Sequence, residues 1–129
     1  MTTSFEICKW LHDKGWLNFE TEKEWIIPDV APDSPFLGRT DKTSIGEGRF
    51  PRIPAPSLGE WVRKLPDVVR ADNGDYYFIL EPLSGHWCAV YQLGYCVEVL
   101  GNSMREPDFP EDACALMWEY LNEKGLVKP

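Results

Sequence analysis

The residues best suited to chemistry in this chain are one histidine and one cysteine that lie close together. His86 and Cys88 are two positions apart in a segment rich in strand-forming residues, which predicts that both side chains point to the same face of a strand. A thiol beside an imidazole can work as nucleophile and general base, but it also needs an orienting third group and an oxyanion site. No sequence motif supplies those two parts. The sequence therefore predicts no catalytic residues, and a small enzyme using His86 and Cys88 is kept as an alternative.

The cysteines of the chain do not form a recognisable metal-binding pattern. They are far apart and lack the CxxC spacing of zinc sites, and they are Cys8, Cys88, Cys96 and Cys114. A zinc site made of His86, Cys88 and Cys96 matches no common ligand spacing. We therefore expect no metal and no cofactor.

The N-terminal sequence MTTSFEICKW has no basic region and no long apolar run, which argues against a signal peptide. No stretch approaches the roughly 20 apolar residues that a membrane-spanning helix needs. Without a secretion signal, the cysteines are expected to be reduced thiols. These features predict a cytoplasmic protein with no membrane contact.

The net charge of the chain is −8, which narrows the classes of partner. Nucleic acids and anionic membranes are bound through Lys and Arg side chains that neutralise phosphates, so direct binding of this chain to either is disfavoured. If its acidic residues lie along one face, they could instead imitate the phosphates of a nucleic acid. An acidic inhibitor of a host protein is therefore a second functional hypothesis.

Basic residues are concentrated in the middle of this acidic chain. Residues 34–70 carry seven bases and four acids, whereas residues 71–102 carry four acids and no base. One explanation is a solvated segment that pairs with acidic parts of its own chain. The alternative is a docking surface for an acidic partner or a phosphate-bearing ligand, and its candidate binding residues are Arg39, Lys42, Arg49 and Arg52.

The same four residues lie in an irregular segment rich in proline and glycine, at about residues 28–56. Proline and glycine at this density exclude a long helix or strand, and so long a loop is unusual inside a compact domain. The preceding residues 16–27 fit either a helical stripe or a strand at Glu24-Trp25-Ile26-Ile27. At 129 residues, the chain is expected to form a single domain over residues 1–129.

Three segments have helix signals at both ends, and we predict helices near residues 3–14, 57–65 and 109–124. Capping-box sequences begin the first two helices, at Thr3 to Glu6 and at Ser57 to Glu60. Asp108 is the expected N-cap of the third helix. That helix has a clear apolar stripe, and Trp118 lies off the stripe, on the side expected to face solvent.

Between the last two helices, a run of short strand candidates occupies residues 67–100. Asn73-Gly74 is a strong hairpin signal, since both residues tolerate positive φ, and residues 82–85 form a second turn. Short connections between neighbouring strands imply an antiparallel meander of three to four strands. The predicted fold class is therefore α+β, with a small antiparallel sheet packed by the three helices.

Two stretches of the second half resemble proteins of a known class. The run Ile53 to Trp61, followed by Leu65-Pro66, and the closing stretch Glu111 to Val127 resemble small uncharacterised α+β proteins encoded by phages and prophages. The resemblance covers about residues 51–128 and implies a mobile-element protein in a bacterial cytoplasm. It implies no activity and no site residues.

A non-enzymatic protein-interaction module is the function that these observations favour. The chain has no catalytic constellation, and its six Trp, five Tyr and six Phe are side chains of the kind that dominate protein interfaces as well as cores. The expected partner is another protein, from the host or from the phage. A homodimer is a further option, because exposed strand edges invite pairing.

Overall fold

An α+β architecture is seen in the computed structural model, which describes residues 2–39, 51–94, 99–100 and 107–127. These residues form three α-helices and two small antiparallel sheets, one of three strands and one of four. The predicted fold class is therefore confirmed, and the three-stranded sheet is an addition to it. Within the same residues, no helix is long and apolar enough to cross a membrane.

The three helices lie within the predicted ranges, and they are α1 (Phe5–Asp13), α2 (Leu58–Lys64) and α3 (Pro110–Glu123). The capping box of α2 forms as predicted. The Ser57 hydroxyl accepts a hydrogen bond from the Glu60 N–H, and the Glu60 carboxylate accepts one from the Ser57 N–H. These two bonds satisfy free N–H groups and so fix where α2 begins.

The predicted caps of α1 and α3 are wrong, because long-range contacts take their place. Ser4 is the N-cap of α1, and its N–H donates to the carboxylate of Asp112 in α3 over 2.8 Å. Phe109 is the N-cap of α3 and makes no side-chain cap bond, while Asp108 contacts His86. Ser4 and Asp112 are 108 residues apart in sequence, so no local pattern could report their contact.

The three-stranded sheet uses residues before the Pro/Gly-rich segment and residues within it. Its strands are β1 (Lys23–Ile26), β2 (Phe36–Arg39) and β3 (Arg52–Pro54), in the order β2-β1-β3 with antiparallel neighbours. The open choice over residues 16–27 is therefore decided in favour of a strand at β1. The strands β2 and β3 lie inside the segment predicted to be irregular, and proline is tolerated there because edge strands need not donate every N–H.

The four-stranded sheet is the predicted antiparallel meander. Its strands are β4 (Val68–Ala71), β5 (Gly74–Leu83), β6 (His86–Leu93) and β7 (Val99–Leu100), in the order β4-β5-β6-β7. The β5–β6 hairpin turns at Ser84 and Gly85 with φ of 51° and 85°, the left-handed pair that a type I′ turn requires. In the β4–β5 hairpin, the turn residues are Asp72 and Asn73, and Gly74 already belongs to β5. This turn is one residue earlier than the Asn73-Gly74 signal predicts.

The core lies between the four-stranded sheet and α3, with α1 and α2 packed beside α3. Tyr91 of β6 is fully buried, and its hydroxyl donates to the Pro66 carbonyl over 2.7 Å. Trp118 is only 2% exposed, so the expectation that it faces solvent is wrong. Its indole N–H donates to the Trp16 carbonyl, and its ring packs against Trp61 of α2. The helix α2 covers the side of α3 that carries Trp118, which the apolar stripe of α3 alone predicts to face solvent.

Candidate functional site

Two of the four candidate binding residues, Arg39 and Arg52, are among the residues that the structure describes. They lie on opposite faces of the three-stranded sheet. Arg39 pairs with Lys23, and Arg52 pairs with Ile26, in the sheet register. Because successive residues of a strand alternate between faces, Lys23 and Ile26 place the two arginines on different faces. Arg39 and Arg52 are therefore not brought into one site. The other two candidates lie outside the described residues: Lys42 and Arg49.

Arg52 is held by an acidic residue of its own chain. Its Nη1 lies 3.4 Å from Glu24 Oε1, and the two side chains are only 16% and 17% exposed. Its Nη2 is buried and makes no hydrogen bond with any residue that the structure describes. For Arg52, this arrangement fits the simpler explanation of the basic residues, in which they pair with acids of the same chain.

Arg39 lines a small polar cleft between the three-stranded sheet and the start of α2. The cleft has a volume of about 250 Å³, and its walls are formed by Thr2, Glu22, Lys23, Arg39, Ser57 and Glu60. Arg39 is about half exposed, and its Nη2 lies 3.6 Å from the Glu22 carboxylate. Arg39 therefore borders a concave polar surface and stays a candidate binding residue.

The four-stranded sheet has one face that packs into the main core cluster and one face whose described residues lie outside that cluster. The register places alternate residues of each strand on opposite faces. We call the packed side the covered face, formed by Val69, Tyr76, Phe78, Leu80, Ala89, Tyr91, Leu93 and Leu100. We call the other side the open face, which has an apolar centre of Val68, Tyr77, Ile79, Val90 and Val99. At its margins lie Arg70, Asp75, Glu81, Leu83, His86, Cys88 and Gln92.

The open face is apolar although much of it is exposed. Tyr77 is 51% exposed, and Leu83 and Val99 are each 45% exposed, while Val90 at the centre is 7% exposed. A single exposed apolar residue is ordinary on a protein surface, but several on one sheet face form the kind of patch that marks a binding surface. The open face is therefore the strongest candidate for an interaction surface. The sequence reasoning missed it, because strand patterns do not report which face a helix will cover.

His86 and Cys88 lie at one end of the open face, on the same side of β6 as predicted. His86 Nδ1 lies 3.0 Å from Asp108 Oδ1, and Glu81 is the register partner of Cys88. Asp108 thus orients His86, a role that the sequence reasoning missed because Asp108 was assigned to a helix cap. In the described part of the chain, no group of three or more histidine, cysteine or acidic residues is placed to hold a metal ion. Cys96, the third member of the weighed zinc site, lies outside that part.

Three acidic residues of α3 are buried: Glu111, Asp112 and Glu119. Burial raises the pKa of Asp112, and nearby Glu111 and Asp108 add to the rise, against the lowering effect of hydrogen bonds from Ser4. Within the described part of the chain, one carboxylate oxygen of Glu111 is buried and has no hydrogen-bond partner. These acids belong to the packed interior, so they do not contribute to an exposed acidic row of the kind that a nucleic-acid mimic needs.

No family of known proteins, no curated protein and no solved structure matches this chain. A fold class alone does not specify a function, because unrelated functions occur on the same folds. The function must therefore be argued from three features of the structure: the open face, the polar cleft and the His86–Asp108 pair.

Proposed function

We propose that this protein is a non-enzymatic interaction module that binds another protein through the open face. The observation that carries the proposal is the group of half-exposed apolar side chains on this face, Tyr77 foremost. Burial of apolar surface is the main driving force of protein association, and tyrosine is among the residues that contribute most at interfaces. These side chains are about half exposed in the free protein, so covering them would favour a complex.

The charges around the open face indicate the chemistry of the partner. Asp75 and Glu81 lie at its margins, and among the described residues of this face Arg70 is the one Arg or Lys. The chain as a whole has a net charge of −8. A second copy would bring like charges together, whereas a protein whose apolar patch is bordered by Lys and Arg would be attracted and oriented. We therefore favour a partner with a basic rim over a homodimer.

The biological setting is part of the same proposal. The resemblance to phage and prophage proteins rests on the segments that form α2 and α3, and it supports a partner from the host or from the phage.

Matched variants of two exposed apolar residues test the open face. Tyr77 lies on the open face, and Val62, which is 50% exposed, lies on α2 away from it. We expect the purified protein to be monomeric by light scattering. A partner that is captured, identified and then purified should bind the wild type and Val62→Asp equally, and Tyr77→Asp about 30-fold more weakly or worse.

Circular dichroism spectra that match the wild type would show that neither variant is unfolded. Equal binding of Tyr77→Asp and the wild type would then contradict the proposal. A stable homodimer that Tyr77→Asp dissociates would also contradict it, because that result assigns the open face to a second copy.

A small enzyme using His86 and Cys88 is a second proposal, favoured by the hydrogen bond between His86 and Asp108. An acid that orients the imidazole is one of the parts that a Cys–His nucleophile needs. Alkylation of Cys88 as a function of pH tests this proposal. If His86 stabilises the Cys88 thiolate, Cys88 is alkylated at pH values well below the ordinary thiol pKa. The variants His86→Ala and Asp108→Asn should then slow alkylation at those pH values. An ordinary thiol titration, unchanged in both variants, would exclude the enzyme.

A further inference from the structure

The turn between β4 and β5 contains an asparagine that is followed directly by a glycine, Asn73-Gly74. An asparagine can lose its side-chain amide when the backbone nitrogen of the next residue attacks its Cγ. The attack is least hindered when that next residue is glycine, which has no Cβ. Asn73 is exposed and lies in the two-residue turn, so its Cγ is accessible to water and stands outside the core.

The fold itself requires the glycine at this position. Gly74 has a φ of 136°, a backbone conformation that residues with a side chain rarely adopt. A Cβ on Gly74 would also lie 2.7 Å from Leu93 Cδ1 of the neighbouring strand β6. The sheet therefore keeps Asn73 next to the residue that favours the attack.

The other described asparagines are placed less favourably for the same reaction. Asn18 is followed by Phe19, whose ring packs against Trp61 and Trp118. Asn122 lies within α3, and its side-chain amide donates to the Trp118 carbonyl over 2.8 Å. The helix also holds the next backbone N–H in a hydrogen bond. Asn73 is thus distinguished by its surroundings as well as by its neighbour in sequence.

A hydrogen bond restrains the Asn73 side chain in the folded protein. Its Nδ2 donates to the Tyr76 hydroxyl over 2.9 Å, and Tyr76 is only 4% exposed, so the acceptor is anchored by the core. This bond must break as the amide nitrogen leaves. The packing of β5 therefore sets part of the barrier to the reaction.

We propose that Asn73 is a site of spontaneous deamidation and that the Tyr76 hydroxyl restrains it. The Gly74 nitrogen gives up its proton to hydroxide and bonds to the Asn73 Cγ, and the side-chain amide leaves as ammonia. Water then opens the resulting succinimide at one of its two carbonyl carbons, which gives either an aspartate or an isoaspartate. No group is oxidised or reduced, and water is the co-reactant.

The modification would change the open face without depending on the function proposed for it. Either product places a new negative charge beside Asp75, at the margin of that face. Isoaspartate also adds a carbon to the main chain of the turn that fixes the register of β4 and β5. Both effects act on the β4 end of the sheet, which carries Val68 and Arg70.

Incubation of the folded protein, followed by digestion and mass spectrometry, tests the site. We expect the Asn73 peptide to change from amide to acid about tenfold faster than the Asn18 and Asn122 peptides, since a side chain on the next residue hinders attack. The rate should rise from mildly acidic to mildly alkaline buffer, because the attacking nitrogen must lose its proton. Chromatography should separate an isoaspartate product from an aspartate product.

Two tyrosine variants test the restraint. Tyr76→Phe should speed the reaction at Asn73 about fivefold, the rate equivalent of one neutral hydrogen bond. Tyr91→Phe is the matched control, because its buried hydroxyl donates to the Pro66 carbonyl and not to the turn. Circular dichroism checks that both variants are folded, and Asn73→Gln identifies the peptide whose change should disappear.

The proposal is overturned if Asn73 in the folded wild type reacts no faster than Asn18 and Asn122. A product without isoaspartate would also overturn it, because direct hydrolysis of the side chain gives aspartate alone. Equal acceleration by Tyr76→Phe and Tyr91→Phe would contradict the restraint, because general loosening of the core would then explain the change in rate.

Discussion

The two faces of the four-stranded sheet are built from the same strands but have different surroundings. On the covered face, Tyr91 is fully buried and Tyr76 is 4% exposed. On the open face, Tyr77 is 51% exposed and Val99 is 45% exposed. Both faces are apolar, yet the described helices pack into the core on one of them. Apolar content alone therefore does not tell which face of a sheet becomes the core.

The strand sequences give the physical reason. A sheet with one face in water commonly alternates apolar and polar residues along each strand, whereas a sheet covered on both faces has continuous apolar runs. The centre of β5 is such a continuous run, Tyr76-Tyr77-Phe78-Ile79-Leu80. We interpret the residues of this run that lie on the open face as a contact surface for a partner protein.

Thiol labelling should separate the two faces most strongly. Cys88 lies at the margin of the open face, whereas Cys114 lies in α3 within the core, where burial, and to a lesser degree Glu111, raises its pKa to about 12. A rise of this size leaves about a thousandfold less thiolate than an ordinary thiol has. In a Cys96→Ser background, we expect mass spectrometry to find that Cys88 is modified about a hundredfold faster than Cys114 or more. Similar rates in the folded protein would mean that the covered face opens readily.

Two adjacent tyrosines provide a matched comparison of stability. Tyr76→Ala removes a side chain from the core and should lower the free energy of unfolding by about 3 kcal/mol. Tyr77→Ala, on the open face, should change it by about 0.5 kcal/mol. Urea denaturation measures both values. If Tyr77→Ala lowers the free energy of unfolding as much as Tyr76→Ala does, the open face contributes to the stability of the free protein. That result would contradict the interpretation of this face as a partner-binding surface.

Asp112 links α3, which packs on the covered face, to the start of α1. Variants of Asp112 provide a smaller, pH-dependent test of this packing. The Asp112 carboxylate accepts the Ser4 N–H, and burial is the main reason that its pKa is raised. Asp112→Ala should lower the free energy of unfolding by about 1 kcal/mol at pH 7, as expected for the loss of a hydrogen bond within the protein. Asp112→Asn keeps an acceptor without the buried charge and should be more stable than Asp112→Ala.

The direction of the pH effect follows from the raised pKa of Asp112. The folded protein holds this proton more tightly than the unfolded chain, so ionised Asp112 opposes folding above its folded-state pKa. As the pH falls through that pKa toward the ordinary value of 3.8, the wild type should gain stability relative to Asp112→Asn. Denaturation at several pH values measures the difference, and a relative loss over this range would contradict the burial of the charge.

Local signals account for the parts of the structure that the sequence predicts well. The Ser57–Glu60 capping box and the turn at Ser84-Gly85 each depend on residues that are close in the chain. The capping box forms as predicted, and the turn occupies the second half of the predicted range 82–85. The strands of the second sheet follow from the same kind of signal, because short turns fix which strands are neighbours. The α+β class is the sum of these local features.

Apart from the one-residue offset of the β4–β5 turn, the wrong or missing predictions depend on distant partners. Trp118 is buried because α2 packs against α3, and Ser4 is capped by a residue of α3 that no local pattern indicates. The strands β2 and β3 form because β1 pairs with both of them, which the proline-rich segment around them does not signal. The polar cleft was predicted only in part for the same reason. Arg39 was identified from the sequence, but its neighbour Lys23 in the cleft wall is found only from the register of the sheet.

Photo-cross-linking from position 77 tests most directly the central claim that the open face is a binding surface. A photoreactive phenylalanine analogue replaces Tyr77 in one variant and Val62 in a control variant, because both side chains are about half exposed. Each variant is then irradiated in cells that naturally make the protein. The account predicts one discrete adduct from position 77, with a protein other than this chain, and none from position 62. No adduct from position 77, or equal adducts from both positions, would contradict it.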